Sequence, residues 1–240
     1  MEAFKTRLAT LLDNIGDSAD TDDIAKALGI TEAEVYEQRD AAEYFQKILS
    51  GISPEASQMF QGKLKHRIRC SACGTSNETE ALCWSLPLSV EPSQHRHSPY
   101  NLETALENHF GRSTVTGDDR IYCDNCKVKQ DATIECSWKC LPQILTLQLK
   151  RFQVDKRQKC FGKITHHVDV PQKLHTKDCG YELYARINHY GSLAGGHYTA
   201  RIKSYETGGW KCRRKYGHQG PNLIMTLCGY EWEENRLGAT

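Results

Sequence analysis

Cysteine is absent from the first 69 residues, aspartate is absent after Asp178, and neither sign of charge is in excess: 31 Lys and Arg stand against 30 Asp and Glu. The formal net charge of +1 removes the broad basic field that binders of nucleic acid or anionic membranes carry. No run approaches the roughly 20 apolar residues of a membrane span, and charges interrupt residues 1–30 where a signal peptide would need an apolar stretch. These absences predict a soluble, intracellular protein with neither nucleic acid nor membrane as partner. Internal repeats and low-complexity linkers are also lacking, so 240 residues fit one large domain or two joined lobes.

What is present changes texture along the chain. The first 50 residues read as helical. Asp20 or Thr21 is placed to cap a helix ending before Gly29, and Thr31 with Glu34 has capping-box spacing. After Asp40, the residues Ala41, Tyr44, Phe45, Ile48 and Leu49 form one apolar face, with Gly51 placed to end the helix. Beyond Met59 come strand-like runs at 62–70, 81–90, 143–152, 181–190 and 197–204, with a helical insert at 102–110. Helices first and mostly antiparallel strands afterwards predict an α+β fold. After Trp210, Lys211, Arg213, Arg214 and Lys215 cluster and no periodicity can be read.

Eleven cysteines, an odd number in a long chain without a signal, favour metal binding or catalysis over a disulfide scaffold. Cys70-Ser71-Ala72-Cys73 and Cys123-Asp124-Asn125-Cys126 are two Cys-x-x-Cys knuckles, a spacing that lets two thiolates of one turn bind the same zinc ion. Together they predict a closed, structural four-cysteine Zn2+ site, against the alternatives of ordinary buried thiols or a redox pair. The other seven, Cys83, Cys136, Cys140, Cys160, Cys179, Cys212 and Cys228, read as core or surface residues.

Three further segments carry a resemblance. Gln38-Arg39-Asp40-Ala41-Ala42-Glu43-Tyr44-Phe45, the run LTLQLKRF at 145–152 and the run GSLAGGHYTA at 191–200 resemble the acidic helix, core strand and histidine box of ubiquitin-specific proteases, in the family's order around the zinc knuckles. Phe60-Gln61-Gly62-Lys63 is similar to the entry of that family's fingers. The resemblance implies a papain-like fold of thumb, palm and fingers. It divides the chain into thumb helices at 1–56, zinc-bearing fingers at 57–140, a palm with the histidine box at 141–210 and an atypical tail at 211–240. It also implies thiol-dependent hydrolysis of the bond after ubiquitin's C-terminal glycine. Ubiquitin and ubiquitinated proteins are the implied partners, in the cytosol or nucleus. His197 matches the catalytic imidazole. Asp40 and Glu43 match residues that hold ubiquitin's tail, while Phe152, Gly195, Gly196 and Tyr198 match its channel. His95, His97, His166, His167 and His189 match nothing and read as structural or surface residues.

Two departures accompany the match. The family's nucleophilic cysteine box lies well before the acidic helix, yet none of the 37 residues before Gln38 is cysteine. After Trp210, where the family places an Asp or Asn that orients the histidine, the sequence runs Lys211-Cys212-Arg213-Arg214-Lys215. The expectation is a catalytic domain incomplete at both ends, from a truncated or mis-assembled coding sequence, inactive as given and marginally stable where strand edges stay open. The alternative is a catalytically dead ubiquitin-binding protein or scaffold. A zinc-ribbon nucleic-acid module would explain neither the histidine box nor the acidic helix.

Overall fold

The computed structural model describes residues 22–31, 40–90, 100–155, 160–176, 179–192, 195–204, 207–213 and 224–232. The predicted Asp20 or Thr21 cap, the Thr31–Glu34 box, Gln38, Arg39, His95 and His97 fall wholly or partly outside these residues, as do the side chains of Cys160 and Cys212. Helix α1 (Asp22–Ala27) ends ahead of Gly29, whose φ of 73° suits a residue without Cβ.

Helix α2 (Ala41–Gly51) starts where Asp40 is extended and its carboxylate accepts the Ala42 N–H at 2.6 Å. The predicted apolar face is only partly covered. Leu49 is buried and Phe45 meets Phe60 edge-on at 5.6 Å, but Ile48 stays exposed. A short helix not anticipated from the sequence, α3 (Pro54–Gln58), follows at once; Ser53 caps it and Pro54 sits where a missing N–H costs nothing.

The strands then run β1 (Gly62–Cys70), β2 (Ser76–Cys83), β3 (Leu86–Ser89) and β4 (Tyr100–Asn101), followed by helix α4 (Leu102–Phe110). After it come β5 (Ser113–Val115), β6 (Ile121–Cys123), β7 (Val128–Gln130), β8 (Ala132–Cys140), β9 (Ile144–Lys150), β10 (Phe152–Asp155) and β11 (Cys160–Lys163). The last are β12 (Val168–Asp169), β13 (Lys173–His175), β14 (Gly180–Gly191), β15 (Gly196–Lys203), β16 (Trp210–Arg213) and β17 (Ile224–Trp232).

Two larger sheets organise them. One, in the order β2-β1-β8-β5, projects the cysteine knuckles, and its outer face carries ion pairs such as Arg67–Glu78 and Lys65–Glu78 at 2.6 and 2.7 Å. Solvent exposure limits each to about 0–1 kcal/mol. The other is seven-stranded, β16-β15-β14-β17-β9-β3, with β13 alongside β14. Pairing is antiparallel except β3 with β9 and β12 with β4. This is the α+β architecture expected, with the four cysteines at the far end of the smaller sheet.

Three sequence expectations need correction. The run 81–90 is two strands, because the chain changes sheet between Cys83 and Leu86. The run 143–152 breaks at Arg151, whose buried guanidinium turns inward to the carbonyls of Ile164 and His166. Most consequentially, the unpatterned tail supplies β17, which inserts between β14 and β9 at the middle of the large sheet. Leu227, Cys228 and Tyr230 are buried there. They join Leu86, Leu88, Leu145, Leu147, Tyr181 and Leu183 in the core, each large apolar side chain contributing about 1.5–3 kcal/mol. The buried phenols are satisfied: Tyr181 donates to Pro142 O at 2.6 Å and Tyr230 to Pro171 O at 2.8 Å.

Candidate functional site

The knuckles form by matching turns. The Gly74 N–H donates to Cys70 O at 3.0 Å and the Lys127 N–H to Cys123 O at 2.8 Å; Gly74 and Lys127 both take positive φ. The four sulphurs converge from these turns, with Sγ separations of 3.9 Å for Cys70–Cys126 and 3.6 Å for Cys73–Cys123, and all four lie within 4.8 Å of one another. Zinc bonds of about 2.3 Å in a tetrahedron require sulphurs about 3.8 Å apart, so the set fits the ion. Thr75, through its hydroxyl and backbone, holds the Cys73 thiol down at about 5, whereas hydrogen bonding to Cys73 pushes Cys126 up to about 12. Without a cation the thiolate is thus favoured at Cys73 over Cys126, and a bound dication would hold its cysteine ligands as thiolates. With no ligand position open, the ion would clamp the β1–β2 turn to the β6–β7 hairpin and supply no reactive water.

A second cluster forms where α2 meets the large sheet. Strands β14 and β15 are a hairpin with Gly191 opposite Gly196, Tyr190 opposite His197 and His189 opposite Tyr198. The turn closes through the Ser192 N–H to Gly195 O at 2.9 Å, and the Lys163 ammonium braces it from β11 by donating to Gly191 O at 2.6 Å. On one face the rings of Phe152, His189 and Tyr198 stack in series, at 5.4 Å and 4.7 Å between centroids. The N-terminus of α2 completes this face: Tyr198 hydrogen-bonds the Ala41 backbone, and the Asp40 charge acts on both Tyr198 and His189.

The structure therefore brings Asp40, Phe152, Gly196 and Tyr198 together. Glu43 is not among them; it is exposed and ion-paired with Lys47 at 4.0 Å. His197 lies between Gly196 and Tyr198 on β15, points to the opposite side from Tyr198 and is exposed. Among the described residues no side chain hydrogen-bonds its ring. The two glycines differ. A Cβ on Gly195 would meet nothing within 4 Å, whereas one on Gly196 would lie 2.1 Å from His189 Nε2. Gly196 thus makes room for an internal imidazole, and Gly195 leaves bare backbone facing outward.

His189, read from sequence as structural or surface, is the residue the cluster is built around. It is 4% exposed, and its Nδ1 has no partner among the described residues. Burial, then the Lys163 charge, pushes it down to about 4, with His197 adding and Asp40 opposing, so the ring is neutral near pH 7. One signal could have found it: a hairpin closed by Gly191 and Gly196 must set position 189 opposite 198.

The sequence model of the family described as "Ubiquitin carboxyl-terminal hydrolase" matches residues 1–215. The chain belongs to the ubiquitin carboxyl-terminal hydrolase family. Among curated relatives, ubiquitin carboxyl-terminal hydrolase 48 of Danio rerio is 27% identical over 212 residues, covering 80% of this chain and 19% of its own length. Ubiquitin carboxyl-terminal hydrolase 2 of Gallus gallus is 31% identical over 163 residues, covering 64% of this chain and 44% of its own. The chain thus spans about a fifth of the first relative and under half of the second. A solved structure, the Ubp8 module of SAGA bound to ubiquitin aldehyde, matches with a TM-score of 0.77 at 21% identity, covering 97% of this chain and 60% of that one. That likeness establishes the ubiquitin-specific protease fold.

Proposed function

We propose that this chain is the ubiquitin-holding part of a deubiquitinating domain. The α2 N-terminus and the β14–β15 hairpin grip ubiquitin's extended C-terminal tail, and His197 occupies the imidazole position for thiol-dependent hydrolysis of the bond after the last glycine. The observation that carries this reading is the meeting of Asp40 with the Phe152–His189–Tyr198 stack beside the open backbone at Gly195. An extended strand of tail residues finds there a carboxylate for its basic side chains, aromatic walls for a narrow channel and no Cβ to hinder a diglycine. Glu43 lies one turn along α2 and would act at the rim. The solved relative bound to ubiquitin aldehyde supports the assignment. Residues 1–56, 57–140 and 141–210 then serve as thumb, fingers and palm of an intracellular enzyme domain.

Forming a thioester needs a thiolate at the histidine. The described cysteines have other settings: four form the metal cluster, Cys83 and Cys136 pack in or against the core, Cys140 is exposed at the end of β8, Cys228 is buried at Leu147 O, and Cys179 sits against Thr176. Our reading of this chain by itself is therefore ubiquitin binding without acylation. Mixing it with ubiquitin carrying a thiol-reactive C-terminus should give saturable non-covalent binding and no adduct. An adduct abolished by a single Cys→Ser change would overturn the non-catalytic part, and absence of any binding would overturn the whole.

A further inference from the structure

The tail channel proposed above makes no use of a pair of arginines near the edge of the large sheet. Arg186 on β14 and Arg201 on β15 are direct cross-strand partners, so their side chains leave the same face. Arg201 also pairs with Cys212, two positions from Trp210, which places the indole on that face too. The guanidinium carbons lie 4.9 Å (Arg186) and 6.0 Å (Arg201) from the Trp210 ring centroid. Both arginines are half-buried, and the Nε–H of each is buried with no acceptor among the described residues.

Opposed like charges on a sheet repel, and a buried donor without an acceptor is costly. Arg186 is shifted down by burial first and by the Arg201 charge next; Tyr230 and Cys228 oppose, and no carboxylate of the described residues is among these causes. The Glu182 carboxylate of the same strand is taken by Lys203. Covering apolar surface with an aliphatic stem accounts for one arginine, not for two facing each other without an anion among the described residues.

We propose that Arg186, Arg201 and Trp210 form a binding site for a phosphate-type oxyanion. Each planar guanidinium presents a fork of donors, and stacking on the indole limits how the forks turn. A carboxylate satisfies one fork. A tetrahedral dianion offers oxygens to both and matches their two charges. The site does not depend on the ubiquitin-tail assignment.

The test is a titration of the full chain, 15N-labelled at arginine, with inorganic phosphate, set against sodium chloride of equal ionic strength and against acetate. Two Arg Nε–H signals should shift saturably with phosphate, identified by their loss in Arg186→Gln and Arg201→Gln, and each variant should bind phosphate about tenfold more weakly. In chloride, Arg201→Gln should melt no lower than the parent because a repulsion has gone. Shifts that follow ionic strength alone, acetate binding as tightly as phosphate, or affinity unchanged in the variants would overturn the assignment. If one variant does not fold, the other variant and the parent titration decide.

Discussion

Replacing Gly196 by alanine probes the packing on which the tail channel rests. The added Cβ would sit 2.1 Å from His189 Nε2, 2.5 Å from His189 Cε1 and 2.4 Å from Tyr190 O. The imidazole cannot yield easily, since Phe152 and Tyr198 wall it on two sides. Overpacking of this kind costs about 1–3 kcal/mol, a sizeable share of a typical domain stability of about 5–15 kcal/mol. His189→Ala alone should cost about 2 kcal/mol through the cavity it leaves. In the double variant the new methyl group enters that cavity, so the combined cost should fall short of the sum by about 1 kcal/mol. Relief stays partial because the Tyr190 carbonyl remains close. Urea unfolding of the four proteins measures all three quantities. A Gly196→Ala cost under about 0.5 kcal/mol, or strict additivity in the double variant, would refute the packing argument.

Removal of metal by a strong chelator should unfold the knuckles and release about one zinc per chain, with Cys123→Ser equivalent to chelation; a chain that binds no zinc would remove the clamp from the account. Asp40→Ala should cost about 1 kcal/mol of stability as a lost helix cap, while Asp40→Asn keeps the cap and weakens ubiquitin binding alone, as paired melts and titrations would show. The neutral His189 contributes stability that is complete above its unfolded value of 6.5 and is lost as pH falls from there to about 4. That loss, discounted for partial screening, should reach about 1–3 kcal/mol, and an acid limb of the same size in His189→Gln would show that another group causes it.

Much of this was legible in the sequence where local chemistry and spacing coincide. The α2 face follows from a 3.6-residue period beginning at an N-cap aspartate, and the four cysteines announce a shared ligand by their knuckle spacing alone. Other features depend on partners distant in sequence. β17 is buried at the centre of the sheet, and its continuous run Ile-Met-Thr-Leu-Cys-Gly-Tyr lacks the alternation that marks a strand with one wet face. The break after β9 comes from a buried arginine seeking carbonyls 13 and 15 residues ahead, which no periodicity encodes. His189 was passed over because a lone histidine carries little information until the hairpin register sets it opposite Tyr198. The split roles of Gly195 and Gly196 likewise appear only with that imidazole in place.

The tail-channel assignment is tested most directly by comparing, on the full chain, the affinity of intact ubiquitin with that of ubiquitin lacking its last two glycines. Intact ubiquitin should bind saturably, with affinity weakened at least about tenfold by the truncation and by Asp40→Asn. Equal affinity for the two forms would place the contact elsewhere on the molecule and contradict the channel between α2 and the β14–β15 hairpin.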